Sequence, residues 1–289
     1  MQQTPELPWK VGSQVWQMGR IPRIMGIVNC TPDSFSDGGQ YHQVDQAVEH
    51  GLKLVAEGAD VLDIGGESTR PGAEIVSVEA EKARVVEVIR QLAAETSVPI
   101  SIDTTKSAVA RAAIEAGALI VNDISGLTFD EQMPAICRET DVAVIAMHIQ
   151  GTPQTMQAAP HYEDCPKEVQ QWLEQRLNAL MEFGLKPERL AIDPGIGFGK
   201  TALNNVELLR ATSQLRSLGR PVLIGHSRKR FLGKLVERDV DERLFATVGV
   251  SVAAAQLGAD LIRVHDVAAT KDAITTFLAI HDESLTAEL

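Results

Sequence analysis

The sequence predicts an α/β fold: a closed (β/α)8 barrel of the TIM type preceded by a short N-terminal β-hairpin. Three observations carry that expectation. Eight short apolar runs of strand length recur along the chain. The stretches between them place apolar residues every three or four positions, the spacing of a helix face. No glycine-rich turn follows the first run, where an open dinucleotide-binding sheet needs one; Val28 leads instead into Asn29-Cys30-Thr31-Pro32. Alternating strands and helices require a mainly parallel sheet, and a count of eight favours closure.

The chain divides into an N-terminal segment, residues 1–20, and one barrel domain, residues 21–289, with no low-complexity linker. In the first, Trp9-Lys10-Val11 and Val15-Trp16 flank Gly12-Ser13 and predict a hairpin over the bottom of the barrel. The strands follow as Ile24–Val28, Val61–Ile64, Ile100–Ile102, Leu119–Val121, Val142–Met147, Leu190–Ile192, Val222–Ile224 and Leu261–Val264. Val48, Leu52, Val55 and Ala56, and later Val78, Ala83, Val86 and Ile89, mark helix faces. Gly58 and Gly117 stand just past helical patterns, where a terminating helix needs a left-handed residue. The phrases Glu57-Gly58-Ala59-Asp60, Glu115-Ala116-Gly117-Ala118 and Leu257-Gly258-Ala259-Asp260 precede strands at irregular spacing, one turn solution used three times rather than a sequence repeat.

Charge and composition narrow the partners. The 289 residues carry 27 Lys+Arg against 39 Asp+Glu, a formal net charge of −12, which disfavours nucleic acid or an anionic membrane as main partner. Hydrophobic residues at 44% and charged residues at 23% supply a large core and exclude disorder. Cys30, Cys137 and Cys165 show neither zinc nor disulfide spacing, so a reducing cytoplasm is the expected setting. The amino terminus lacks a basic start followed by an apolar core. No apolar stretch approaches the roughly 18 residues of a membrane span, so the expectation is a soluble, unprocessed chain.

In such a barrel the chemistry gathers where strands deliver into their following loops. Those positions hold Asn29; Glu67, Thr69 and Arg70; Asp103; Asn122 and Asp123; His148; Asp193; Ser227, Arg228 and Lys229; and Arg263 with His265. Any one of them fits a cap or a turn; a polar set behind every strand points to a site. Arg70, Lys229, Arg263 and His265 supply cationic donors suited to phosphate oxygens, while Asp103, Asn122 and Asp193 supply acceptors and one amide. Period-two geometry turns Arg263 and His265 to one side and Ile262 and Val264 to the helices. Arg263 also fits a second reading, as neutraliser of an internal carboxylate such as Asp63.

The acceptors suit a flat heterocycle with a guanidine-like edge, such as a pterin or guanine, with Asp193 as the bidentate partner. Three alternating glycines after Asp193 allow close backbone approach, and Phe198 or Met147 can cover the ring. Gly199-Lys200-Thr201 is not a phosphate-binding loop, because Pro194 stands where the required earlier glycine belongs. The stretches 29–39 and 65–72 are long enough to be lids, and Phe35 on the first implies that something covers it.

These motifs, Asn29 to Gly39, Asp63 to Gly72, Ser101-Ile102-Asp103-Thr104, Asn122-Asp123, Met147-His148, Asp193-Pro194-Gly195, Ser227-Arg228-Lys229 and Arg263-Val264-His265-Asp266, together resemble the dihydropteroate synthase family, in the same order from about Arg20 to about Ile280. The resemblance implies a cytoplasmic folate-pathway transferase, a sulfonamide target, in which p-aminobenzoate displaces pyrophosphate from 6-hydroxymethyl-7,8-dihydropterin diphosphate. By position it implies that Asp103, Asn122, Asp193 and Lys229 bind the pterin, lined by Met147 and Phe198. It further implies that Arg70, Arg263 and His265 hold the diphosphate beside Thr69, that Asn29 contacts Mg2+, and that Phe35, Pro71 and Ser227 form the aminobenzoate site. Of these, Asp103, Arg70, Lys229 and Arg263 are the expected catalytic residues. A homodimer through Phe245, Val248, Val252 and Gln256 is also implied.

Three rivals stand beside this expectation. A corrinoid-dependent methyltransferase shares a pterin pocket but needs no diphosphate clamp. An aldolase would use Lys229 as a Schiff-base amine. A non-catalytic pterin-binding module would keep the pocket without turnover.

Overall fold

The computed structural model describes residues 6–19, 21–31, 40–70 and 72–281. A two-stranded antiparallel hairpin, β1 (Leu7–Val11) and β2 (Gln14–Met18), turns at Gly12-Ser13. Strand and helix then alternate as β3 (Arg23–Asn29), α1 (Gln40–Ala56), β4 (Val61–Gly65), α2 (Val78–Glu95), β5 (Ile100–Asp103), α3 (Ser107–Glu115), β6 (Ile120–Asp123), α4 (Met133–Thr140) and β7 (Ala143–Met147). The second half adds α5 (Cys165–Glu182), β8 (Leu190–Asp193), α6 (Ala202–Arg210), α7 (Thr212–Arg216), β9 (Leu223–Ile224), α8 (Arg230–Val236), α9 (Leu244–Gln256), β10 (Leu261–Val264) and α10 (Val267–His281).

The eight later strands form one parallel sheet in the order β8-β7-β6-β5-β4-β3-β10-β9. A bridge between Ile192 and Val222 and the bond from Ile192 N–H to Pro221 O, 2.9 Å, close β9 onto β8, so the sheet is a barrel. Its side chains sort by period two. Ile24, Val28, Leu62, Ile64, Ile102 and Val121 pack outward under the helices, whereas Met25, Val61, Ile120, Ile145, Leu223 and Leu261 fill the interior. Into that interior the hairpin inserts Trp9, Val11, Trp16 and Met18, with the two indoles edge to face at 5.8 Å. Arg189 fixes the stopper, donating to Lys10 O (3.1 Å) and Gly12 O (2.9 Å).

The repeated turn phrase has one geometry. Gly58, Gly117 and Gly258 take φ of +94°, +120° and +89°, and Ala59, Ala118 and Ala259 each donate back to a carbonyl five residues earlier at 2.9 Å, which closes α1, α3 and α9. The aspartates after two of these turns then pin strand starts. Asp60 accepts from Ile24 N–H and Asp260 from Val222 N–H, both at 2.9 Å, and Arg216 holds Asp260 in a buried pair at 3.0 Å.

Two local expectations shift. α2 buries Glu81, Val85, Val88, Ile89 and Leu92 and leaves Ala83 exposed, because the helix turns Glu81 inward to Lys106; an apolar count does not register a buried carboxylate. β6 begins at Ile120, since Leu119, 39% exposed, lies against the hairpin turn at Gly12.

Candidate active site at the C-terminal mouth

The strand ends bring a charged cluster onto the barrel axis. Asp63 on β4 is fully buried, and its Oδ2 accepts from Arg263 Nε at 2.6 Å and from Asn122 Nδ2 at 3.1 Å. Arg263 Nη2 reaches Asp103 Oδ2 at 2.7 Å. The neutralising role read for Arg263 is thus seen in its pair with Asp63, and among the described residues the Asp63 and Asp103 carboxylates take two of its five N–H groups. Burial pushes the Asp103 carboxyl up to about 7, with Arg263 opposing and Asp63 reinforcing the rise.

The β8 loop builds the opposite wall. Asp193 is buried, and its Oδ1 accepts from Gly195 N–H at 2.7 Å within its own turn. Gly195 has φ +72°, and a Cβ there would lie 1.8 Å from His148 O, so only glycine fits. Burial raises the Asp193 pKa while Lys229 opposes it, and burial lowers Lys229 to about 8 while Asp193 opposes that. Lys229 Nζ donates to Ile196 O and stands 4.4 Å from the Phe198 ring centroid. Phe198 joins Ile124, Met147, Ile149 and Met156 in an apolar patch beside these charges.

Two strand-end polar residues serve the scaffold. His148 lies edge-on to Trp172 at 5.0 Å, with Nδ1 3.0 Å from the buried Lys200 amine. Burial and the Lys200 charge press His148 down to about 2, and burial lowers Lys200 to about 7, so His148 is neutral. Asp123 turns outward and accepts from Ser125 N–H (2.7 Å) and Oγ–H (2.6 Å). Thr201 caps α6 in a reciprocal capping box with Asn204, the structural use of the Gly199-Lys200-Thr201 phrase.

The β9 and β10 loops meet at Ser227, whose Oγ lies 2.9 Å from His265 Nδ1 and accepts from His265 N–H at 3.2 Å. Burial, then Arg263 and Arg228, lower His265 to about 4. Without a ligand its imidazole is therefore held toward the neutral form, and an anion bound beside it would favour the proton. His226, fully buried, sits with Nε2 2.9 Å from Thr247 O and 3.0 Å from Ser251 Oγ, so it anchors the loop to α9. Arg228 pairs with Asp266 at 2.6 Å.

After β4 the expected lid is fastened at its root. Glu67 accepts from Val76 N–H (2.7 Å) and Lys106 Nζ (2.8 Å), and Lys106 also bonds the buried Glu81 at 2.6 Å. Thr69 is half-buried and Arg70 exposed; Asn29 ends β3 half-buried, next to Gly65 of β4. Phe35 and Pro71 lie outside the described residues.

One mouth thus holds Asp103, Asn122, Asp193, Lys229, Arg263, His265, Ser227, Met147 and Phe198. Sequence reading passed over Asp63 as a hub, although its period-two relation to Gly65 and Val61 already aims it inward. It also passed over Lys106 and Lys200, whose partners are remote in the chain or lie within a glycine-rich turn.

Comparison with known proteins gives the family and the fold. The family model described as "Pterin binding enzyme" matches residues 25–265. The dihydropteroate synthase of Synechocystis sp. is 45% identical over 92% of this chain and 91% of its own. The Xanthomonas albilineans dihydropteroate synthase solved with 4-aminobenzoic acid superposes with a TM-score of 0.89 at 47% identity, covering 96% of this chain and 99% of that one. The same organism's enzyme in complex with 7,8-dihydropteroate gives 0.86 at 44% identity, again over 96% and 99%.

Proposed function

The chain belongs to the pterin-binding enzymes, among the dihydropteroate synthases, and from that premise we propose how its own residues divide the work of the family's reaction. The reaction is a transfer in folate biosynthesis: 6-hydroxymethyl-7,8-dihydropterin diphosphate and p-aminobenzoate give 7,8-dihydropteroate and pyrophosphate. The observation that carries the assignment is the facing of Asp193 and Lys229 on one wall with the Asp63–Arg263–Asp103 chain on the other, over a floor of Met147 and Phe198.

The pterin lies flat in this cleft, its guanidine-like edge on Asp193, its remaining edge against Asn122 and Lys229. The C–O bond between the methylene carbon and the diphosphate breaks first, the electron pair leaving with the diphosphate, and the aniline nitrogen then forms the C–N bond and sheds a proton. An aromatic amine is neutral near pH 7, so no strong base is needed. The larger task is to take up charge on the leaving group, which falls to Arg70, His265 and the free donors of Arg263. Asp103, ionised against Arg263, steadies the developing methylene cation. Ser227 is assigned to p-aminobenzoate together with Phe35 and Pro71, as the resemblance implies, and Thr69 stands with the diphosphate group.

Magnesium suits the donor set, because it retains waters and takes phosphate oxygens, needing little more than one neutral oxygen such as the Asn29 amide at the mouth. When bound, it would supply positive charge to the departing diphosphate. Pyrophosphate release from dihydropterin diphosphate, measured with and without p-aminobenzoate and with and without magnesium, tests the whole reading; no dependence on p-aminobenzoate would refute it. Borohydride trapping with a carbonyl substrate separates the aldolase alternative.

A homodimer is supported by α9, whose outer face leaves Phe245 85% exposed near half-buried Val248 and Val252 and exposed Gln256. Phe245→Glu should yield a monomer by light scattering. A cytoplasmic setting is supported by three buried free thiols, and among the described residues no helix is long and apolar enough to cross a membrane.

A further inference from the structure

Asp63 offers a carboxylate and nothing else, so every group facing it must donate. Its Oδ2 takes Arg263 Nε and Asn122 Nδ2 together, and no part of Asp63 is exposed. Asn122, itself buried, carries a donor end and an acceptor end on one planar amide. Amide orientation follows from the surrounding network, and here the network permits one choice: the NH2 group meets the carboxylate. The carbonyl oxygen of Asn122 is therefore the end directed away from Asp63.

We propose that Asp63 is a positioning residue for ligand selection: by fixing the NH2 end of Asn122, it presents the Asn122 carbonyl to the guest, so the mouth selects a heterocycle with a ring or exocyclic N–H at that edge and rejects one presenting an acceptor. Rejection follows because an acceptor there would leave two buried acceptors facing each other unpaired. Arg263 completes the arrangement. It neutralises Asp63, so that the carboxylate can stay buried while orienting the amide. The inference rests on the placement of the pterin against Asn122.

Calorimetric binding of 7,8-dihydropterin, which lacks the diphosphate but keeps the ring N8–H of the proposed substrate, tests it on the full chain. The variants are Asp63→Asn, Asn122→Ala and both together. An asparagine at position 63 can donate to the Asn122 carbonyl and reverse the amide. Asp63→Asn is therefore expected to weaken pterin binding by about 10- to 100-fold, roughly one or two hydrogen bonds. Asn122→Ala should lose a similar amount and the double variant no more than the larger single loss. Fully additive losses, or parental affinity in Asp63→Asn, would overturn the proposal while leaving the pterin placement intact. Parental affinity in Asn122→Ala would overturn that placement and the proposal with it. Should Asp63→Asn not fold, a crystal of the unaltered protein with 7,8-dihydropterin decides: a kept Asp63 to Asn122 contact, with a dihydropterin N–H opposite Asn122 Oδ1, supports the proposal, and a broken contact overturns it.

Discussion

Arg263 Nε and Asp63 Oδ2 meet at 2.6 Å across the barrel interior from positions 200 residues apart in the chain, so the charge expected to serve the leaving group is already tied to the core. Arg263→Met should therefore damage two properties. Loss of a leaving-group contact predicts a fall in kcat/KM worth about 2 to 4 kcal/mol. Leaving Asp63 buried without its cation predicts destabilisation of up to about 3 to 5 kcal/mol. Adding Asp63→Asn should recover part of the stability in denaturant unfolding while activity stays low.

A pH profile of kcat/KM should show an acid limb with its midpoint near 7. Asp103 holds its proton up to about pH 7 because it is buried, and activity needs the ionised form, so the rate falls as pH falls through that value. Removing the opposing charge in Arg263→Gln should move the limb to higher pH. Removing the reinforcing charge in Asp63→Asn should move it to lower pH. Comparing variants with the parent cancels titration of the substrates.

Asp193→Asn should weaken pterin binding far more than p-aminobenzoate binding to the ternary complex, if its carboxylate is, as proposed, the bidentate partner of the heterocycle. Titration calorimetry with each ligand checks this; equal losses would remove Asp193 from that role.

Lys200 predicts a stability effect of the opposite sign to an ion pair. Burial lowers its pKa from 10.5 to about 7, so between these values the unfolded chain binds the proton that the folded chain has released. Stability then rises with pH across that window, by at most about 1.4 kcal/mol per pH unit. Lys200→Met should flatten the rise in urea titrations from pH 7 to 10.

At the other end of the barrel, Arg216→Met should cost about 3 to 5 kcal/mol by stranding the buried Asp260. Below the melting temperature its kcat and KM should match those of the parent, since that face carries no chemistry.

Much of the fold was legible because the barrel obeys short-range rules. Period-two alternation separated Arg263 from Ile262 and Val264, and glycine after a helical pattern located three turns of one geometry. The candidate site was legible as a set of positions because barrels gather polar strand ends at one mouth. What escaped was set by distant partners: the rotation of α2 follows from Glu81 meeting Lys106, and the lowered pKa of His265 follows from burial beside two arginines. A single chain pattern carries no signal for either. His148 and Asp123 occupy strand ends like their neighbours, yet Trp172, Lys200 and Ser125 draw them into packing and turns.

The tryptophan-bearing hairpin and the inward apolar side chains it meets leave the barrel axis filled, so a guest at the C-terminal mouth has one face by which to come and go. Under the proposed function that shape has a kinetic consequence: the bicyclic substrate, assigned the deeper seat between Asp193 and Asn122, should enter before the aniline, and the joined product should withdraw after the smaller polyanion.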